Sequence, residues 1–517
     1  MLSLVWLLAV CGSAAADASP AASSASSLPN IVLILADDLG YGDVRSFNPQ
    51  CRIATPHLDR LAREGMCLTD AHSSSSVCTP TRYSLLTGRY NWRTRLKSGV
   101  LGGLSPPLLE PTRMTLASLL KNHGYHCACI GKWHLGLDWA RKPGAPPFRD
   151  VIENGEEGWQ VDFARPFGGG PTTVGFDKFF GISASLDMVP YTFLEDDRVT
   201  AIPTVDMHFE MMQGVARQMT RKGPGAIGFT AEEVLPTFTQ RSIHYIQERA
   251  PQARAGRPFF LYLPLASPHT PIAPTKDGRG RSGLNPYGDF VEETDAAIGR
   301  ILEALDQSQI AQQTLVIVTS DNGCSPQADF AALRAKGHDP SYSLRGHKAD
   351  IFEGGHRVPM IVRWPGRTPA GSNSNHLVGL VDWLATLAEI VGESLPDDAG
   401  EDSVSFLPVL LGRQDSPPRP ALVHHSINGA FAIREGRWKL ILDGSSGGWS
   451  DPLPGSKSAA DLPSRQLYDL QVDQTERKNL SNQHPDIVAR LELLLEKYRS
   501  ASRSVPLKIS TLVPPKR

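Results

Sequence analysis

Only seven of the 517 residues are cysteine, at positions 11, 51, 67, 78, 127, 129 and 324. They follow no regular spacing, which excludes a disulfide-built scaffold. Cys127 and Cys129 stand one residue apart, too sparse a set for a zinc ribbon. Cys51 and Cys67 are candidates for a single bridge, and cysteine usage alone does not fix the redox compartment. Blocks of one charge sign are also missing, with 52 basic residues against 54 acidic ones. That excludes a nucleic-acid footprint and a polybasic membrane patch, so any anion must be held by a local cluster. Past the first residues, no apolar run approaches the ~20 residues needed to span a bilayer, which argues against a transmembrane anchor. Internal repeats are absent.

What is present is ordinary globular composition, 41% hydrophobic and 21% charged. The length exceeds one small core and suits a large α/β domain with a smaller companion. Residues 2–10 are apolar, and small residues then lead through Ala14, Ala15 and Ala16 to Asp17. This pattern reads as a signal peptide over 1–16, although its positive n-region is nearly absent; a short buried helix is the competing reading. Cleavage as a lipoprotein at Cys11 fits less well, because Val10 is bulky where a small residue is needed. Residues 17–28, mostly Ser and Ala, read as a flexible spacer. A single sequon at Asn479 is too little to argue for a eukaryotic secretory origin. A bacterial periplasmic or secreted protein is expected.

Residues 31–36 (IVLILA) form a continuous apolar, β-branched-rich run, as in a strand buried on both faces of a parallel sheet. Residues 127–130, 259–265, 314–319 and 359–363 are further strand candidates. Helical patterns cover 55–65, 80–87, 116–123 and about 290–305. This alternation predicts a large mixed, mostly parallel sheet sandwiched by helices over 29–412. A Pro- and Gly-containing stretch over about 396–420 precedes a smaller C-terminal α+β domain, placed at 413–517. Its elements are an antiparallel hairpin at 431–434 and 438–442 and a helix at 487–498. The Gly/Pro-rich stretches 155–175 and 276–287 are expected as loops near a pocket rim.

Polar clusters begin where the apolar runs stop: Asp37-Asp38, His269 and Asp321-Asn322. Sites of open α/β sheets lie outside the carboxyl ends of the strands, so these groups are expected to converge. Four hard oxygen donors without a Cys or His cluster suit calcium or magnesium rather than zinc, with capping and turn formation as the alternative. Between them runs Ser76-Val-Cys-Thr-Pro-Thr-Arg-Tyr-Ser-Leu-Leu-Thr-Gly-Arg89. Pro80 suits a first helical turn, which puts Cys78 near the N-cap, where free N–H groups and the helix dipole receive anions. Arg82 can fold back to the same spot. Alone, such a cysteine is more often a small buried hydrophobe.

The motif Cys78-Thr-Pro-Thr-Arg82 followed by Leu-Leu-Thr-Gly-Arg89 resembles the signature of the type I sulfatases, which oxidise the motif cysteine to formylglycine. The segment Gly124-Tyr-His-Cys-Ala-Cys-Ile-Gly-Lys-Trp-His134 resembles that family's second signature. Asp37-Asp38, Asp321-Asn322 and Lys348-Ala-Asp-Ile-Phe-Glu-Gly-Gly resemble the rest of its site, in the same order, and the resemblance extends from Asn30 to the Leu467-Tyr-Asp-Leu segment. Two positions depart from the pattern. Thr81 replaces the usual Ser but keeps a hydroxyl, and Cys127 replaces a Ser or Thr, read as a packing change in a strand.

The resemblance implies a sulfuric ester hydrolase working through a hydrated formylglycine at position 78. Asp37, Asp38, Asp321, Asn322 and the modified Cys78 would ligate one divalent cation, calcium before magnesium. Arg82 would brace the nucleophile, His134 would serve the elimination step, and Lys132, His269 and Lys348 would bind sulfate and move protons. Ser185 matches a serine beside the nucleophile. A formylglycine-generating enzyme would be the maturation partner, and a sulfated saccharide or aryl sulfate the substrate. His356, His424 and His425 are expected as surface or capping residues, with the pocket edge as the alternative. Two other functions compete: a phosphomonoester, phosphodiester or phosphonate hydrolase of the same fold, and a binding protein that keeps Cys78 as a thiol.

Overall fold

A computed structural model describes residues 28–150, 155–215, 218–413 and 416–506. Residues 1–27, which carry the expected signal segment and most of the spacer, lie outside them. The first strand, β1 (Asn30–Ala36), is buried along its whole length. It pairs in parallel with β7 (Phe259–Pro264) on one side and β8 (Thr314–Ser320) on the other. Beyond β7 lie β3 (His126–Lys132) and β4 (Lys178–Ile182), again parallel. Five adjacent strands therefore end at the same edge of the sheet.

Shorter strands complete a ten-stranded sheet. On the β4 side, β5 (Leu194–Glu195) and β6 (Arg198–Val199) continue antiparallel. On the β8 side, β9 (Met360–Arg363) and β2 (Met66–Leu68) run antiparallel, and β10 (Ser372–Ser374) lies beyond. Side chains alternate across each strand, so one face of β1 presents Val32 and Ile34 and the other Ile31, Leu33 and Leu35. The first face packs against α1 (Pro56–Glu64), α4 (Val234–Arg254) and α5 (Pro286–Gln307). The second packs against α2 (Cys78–Thr87), α3 (Leu116–Asn122) and α6 (Trp383–Val391). The mostly parallel sandwich expected from the apolar runs is the one formed.

Two elements differ from the sequence reading. Helix α5 starts at Pro286 rather than near 290, because the Asn285 side chain accepts from Gly288 N and caps it there. Helix α4 was not assigned; Pro236 and Pro251 interrupt the helical composition of its ends, and burial of Phe238, Tyr245 and Ile246 on the sheet stabilises it. The C-terminal hairpin belongs to a four-stranded antiparallel sheet of β11 (Leu422–His425), β12 (Phe431–Glu435), β13 (Trp438–Ile441) and β14 (Gln466–Asp469). Helix α7 (Pro485–Ser500) covers it with Leu491 and Leu495, which pack into a core shared with Tyr90 and Trp92.

Gly131, one residue before Lys132, has φ of 143°, and a Cβ there would lie 1.9 Å from the Pro264 carbonyl oxygen. The end of β3 thus comes close to β7 only because position 131 has no side chain. Gly131→Ala is expected to destabilise the protein by roughly 3 kcal/mol or more, read as a lowered urea midpoint with an unchanged slope. An unchanged midpoint would show that this strand end relaxes freely.

Candidate active site

The parallel strands deliver the polar residues to one place. Asp37 and Asp38 follow β1 directly, Asp321 and Asn322 follow β8, and Lys132 ends β3 with His134 just beyond. Ser185 lies shortly after β4 and His269 after β7. Cys78 is the first residue of α2, whose N-cap Val77 offers no side-chain cap, and Gly88 closes the helix in the left-handed conformation. The first N–H groups of α2 are therefore not taken by a capping side chain. The hydroxyl retained at Thr81 donates to Ser75 O at 3.0 Å. Lys348 enters on the loop before β9.

The charged groups interlock with almost no access to solvent. Arg82 donates through Nε and Nη2 to Asp321 Oδ2, at 3.1 and 2.8 Å, and through Nη1 to Lys132 O at 3.1 Å. Its Nη2 also lies 3.5 Å from Asp37 Oδ2. Lys132 Nζ donates to the same Asp37 oxygen at 2.6 Å, and Lys348 Nζ donates to Asp38 Oδ2 at 2.8 Å. Asn322 Nδ2 donates to Asp38 Oδ1 at 2.7 Å, and His269 Nε2 stands 3.7 Å from Asp38 Oδ2. Asp38, His134 and Ala349 hold left-handed backbones, with φ of 64°, 56° and 79°. Non-glycine residues there are strained, and such strain gathers at functional sites.

The remaining lone pairs suit a cation. Asp37 Oδ1 and Asn322 Oδ1 are buried without a partner, although every other oxygen of these two side chains and Asp38 is engaged. Ligand atoms of Asp37, Asp38 and His269 also lie within 4.8 Å of one another. Burial and the neighbouring Asp37 push Asp321 up to about 6, a like-charge crowding that a divalent ion relieves. Burial alone would raise Asp37 too, yet Lys132, His269 and Arg82 hold it below the usual carboxylate range. These buried Asp and His groups can bind a metal, and the lone pairs left open on Asp37 and Asn322 are hard oxygens.

Burial pushes the Cys78 thiol up against the opposing pull of Lys132 and Lys348, so the unmodified side chain is a neutral thiol and a poor nucleophile. Burial, Lys132 and Arg82 hold His134 well below the ordinary imidazole value. Its Nε2 lies 2.8 Å from Leu101 O and carries the proton there, which leaves a bare Nδ1 with no partner. A cavity of about 440 Å³ opens above Cys78, within the range of small-molecule sites. Ser185, His269 and Lys348 line it with Cys78, and the Ser185 hydroxyl has no partner. The carboxylates Asp37, Asp38 and Asp321, with Asn322, Cys78, Arg82, Lys132, His134, Ser185, His269 and Lys348, thus belong to this cluster or its cavity. The expected rim loops do not: neither 155–175 nor 276–287 contributes to the lining, which comes instead largely from Asp187, Met188, Met211, Met219, Thr220, Arg221, Ile427 and Trp449. Sequence reading missed these because they carry no motif, and only Asp187, beside Ser185, stood near one.

The other histidines lie elsewhere. His356, His424 and His425 are fully buried, neither on the surface nor on the cavity edge. His356 stacks on His424 with ring centres 3.9 Å apart, and its Nδ1 meets His72 Nδ1 at 3.1 Å. His72 Nε2 pairs with Asp70, and Lys439 Nζ reaches His356 Nε2 at 2.9 Å. These contacts tie β11 and β13 to the segment before α2 and to the short turn that carries His356. The cysteines from Cys51 onward are all free, so Cys51 and Cys67 form no bridge. Cys127 packs in β3 with its thiol toward Ala117 O, in keeping with a packing role.

His425 makes a hydrogen bond with Asn91 Oδ1 at 2.7 Å, and burial lowers it to about 4. The unfolded chain binds this proton near pH 6.5 and the folded one does not, so stability is full above 6.5 and is lost as pH falls toward 4. His425→Gln should remove ~3 kcal/mol of that acid loss, read by urea titration of both proteins between pH 7.5 and 4.5. A constant difference between the two curves would show that His425 is not buried neutral.

The family model described as Sulfatase matches residues 29–393. An N-acetylgalactosamine-6-O-sulfatase of Bacteroides thetaiotaomicron is 32% identical, covering 91% of this chain and 93% of that protein. Arylsulfatase A of Bos taurus is also 32% identical, over 94% of this chain and 91% of its own. A solved Bacteroides thetaiotaomicron protein of glycosaminoglycan metabolism superimposes with a TM-score of 0.78 at 31% identity, covering 92% of this chain and all of its own. Matched along most of its length by sequence and by fold, the chain belongs to the sulfatase family and is a sulfuric ester hydrolase.

Proposed function

We propose that the protein cleaves a sulfate monoester at position 78, after conversion of Cys78 to formylglycine by a generating enzyme. The observation that carries this reading is the position of Cys78. It begins α2 at the base of the cavity, between Lys348 and His269 on the lining and the buried Arg82, Lys132 and His134. Hydrated formylglycine supplies one hydroxyl to attack sulfur and a second to release sulfate, which an ordinary serine lacks. Asp37, Asp38, Asp321, Asn322 and the modified residue would hold a calcium ion, which when bound would supply positive charge beside the nucleophile and the sulfate oxygens.

The chain's own residues do the rest. Arg82 fixes Asp321 and the end of β3, so the carboxylates keep their spacing. Lys132 and Lys348 hold Asp37 and Asp38 and present fixed positive charge where the sulfuryl group gains negative charge. The bare His134 Nδ1 takes up a proton at the nucleophile, and His269, at the cavity wall, gives one to the departing alcohol. Ser185 offers its free hydroxyl to the same space. The substrate is a sulfated carbohydrate or an aryl sulfate. The name of the Bacteroides relative favours the carbohydrate. Export to the periplasm or the medium fits the N-terminal pattern of residues 1–16.

Two measurements test this. Protein made in a host with the modifying enzyme should give a tryptic peptide over 64–82 in which the thiol and one hydrogen at Cys78 are replaced by a carbonyl oxygen; an intact thiol would refute the mechanism. The same protein should hydrolyse 4-nitrophenyl sulfate in preference to 4-nitrophenyl phosphate. A preference for the phosphate, with its second negative charge, would instead favour the phosphomonoester reading.

A further inference from the structure

The cavity above Cys78 has a wall that the sulfate chemistry leaves unused. Trp449 stands there 44% exposed, although most of the large aromatic side chains are buried. Its loop is clamped rather than loose. Trp449 N and Ser450 N both donate to Asp350 Oδ1, at 2.8 and 3.0 Å. Ile351 N donates to Ser446 O at 2.8 Å, and a Cβ on Gly448 would lie 2.4 Å from Ala349 O. The main chain that carries the indole is thus fixed to the backbone that follows Lys348. An exposed indole on a clamped main chain binds a flat or apolar ring face at smaller entropic cost than one on a loose loop.

Polar groups line the same cavity. Asp187 and Arg221 both line the cavity, with Arg221 Nη1 donating to Asp187 O at 3.0 Å and to Oδ2 at 2.9 Å. Asp187 Oδ1 is buried and has no donor. A carboxylate oxygen left in that state costs ~1–3 kcal/mol, which a ligand O–H or N–H recovers. A phenol or a sterol nucleus carries no such donor near the ester, whereas a sugar carries several hydroxyl or amide groups around its ring. The unused guanidinium N–H groups of Arg221 match the oxygens of those substituents. Met188 and Met211, on the same lining, adapt to an irregular apolar ring edge.

We propose that Trp449, Asp187 and Arg221 form a leaving-group subsite for a neutral sugar ring, so that the alcohol released is a saccharide. The Asp187–Arg221 pair is electrically balanced, and its specificity is for hydroxyl and amide groups rather than a second anion. This inference rests on Cys78 as the site of sulfate-ester cleavage, and the test separates the two.

Full-length modified protein is assayed on 4-methylumbelliferyl sulfate and on the 6-sulfates of galactose, glucose, N-acetylgalactosamine and N-acetylglucosamine. At least one saccharide should be hydrolysed. Asp187→Asn should lower its kcat/KM by ~10- to 100-fold, one to two factors of 1.4 kcal/mol, and lower that of the aryl sulfate far less. Trp449→Ala should raise the saccharide KM by ~10-fold, with most of the loss recovered in Trp449→Phe. Independently of any variant, the matching unsulfated monosaccharide should compete with the aryl sulfate in the wild type at millimolar concentration. Cleavage of the aryl sulfate alone, equal losses on both substrates in Asp187→Asn, or no competition by the sugar would overturn the subsite while sparing the sulfatase reading. Failure on both substrate classes would overturn both.

Discussion

The buried guanidinium of Arg82 ties the site together. It joins α2 to Asp321 beyond β8, to the main chain at the end of β3, and to Asp37 beyond β1. Three strand ends and the helix that presents Cys78 are thereby set at fixed distances. Charges this deep exist only in company, since removing one partner from a buried pair costs ~3–5 kcal/mol through the charge left behind. Lys132 and Lys348 balance Asp37 and Asp38 in the same way. Two side-chain oxygens of the set, on Asp37 and Asn322, are still without a donor. The network is built around an incomplete inner surface, which is the property of a cation site.

The second constraint lies between the main sheet and the C-terminal one. Lys439, His356, His72 and Asp70 form a buried chain of polar contacts from β13 to the segment just before α2. Packing of β11 brings Ile427 to the cavity, and the loop after β13 brings Trp449. The charged cluster at Cys78 gathers at the strand ends of the main sheet, while part of the cavity wall comes from the C-terminal sheet and its loops. One fold can therefore keep a constant reaction and change the alcohol it accepts, because the two sets of residues sit on different elements.

Much of the site was legible because its residues lie at the ends of strongly patterned strands. The apolar run of β1 stops at Asp37-Asp38 and that of β8 at Asp321-Asn322, and parallel pairing forces both ends to one edge. Lys132 and His134 were legible through the second motif. Asp187, Arg221 and Trp449 were not, for they lie on loops whose placement depends on contacts distant in sequence, such as Trp449 N with Asp350. His356, His424 and His425 were misplaced for a related reason. A histidine reads as polar in a sequence, and only the partners supplied by β11, β13 and the segment before α2 allow three of them to be buried neutral. Helix α4 was missed because proline near both ends hides a face that the sheet then buries.

The sequence by itself determined the parallel sheet, the order of its polar strand ends and the chemical character of the residues there. It did so through local period and composition, which act over a few residues and survive without the rest of the chain. The tertiary structure decided which lone pairs stay open, how far burial moves each proton, and what lines the cavity above Cys78. Those depend on desolvation and on partners hundreds of positions apart, as with Arg82 and Asp321 or Lys348 and Asp38. The motif at Cys78 is local and legible in the sequence, and the fold around it sets the shape of the cavity above it.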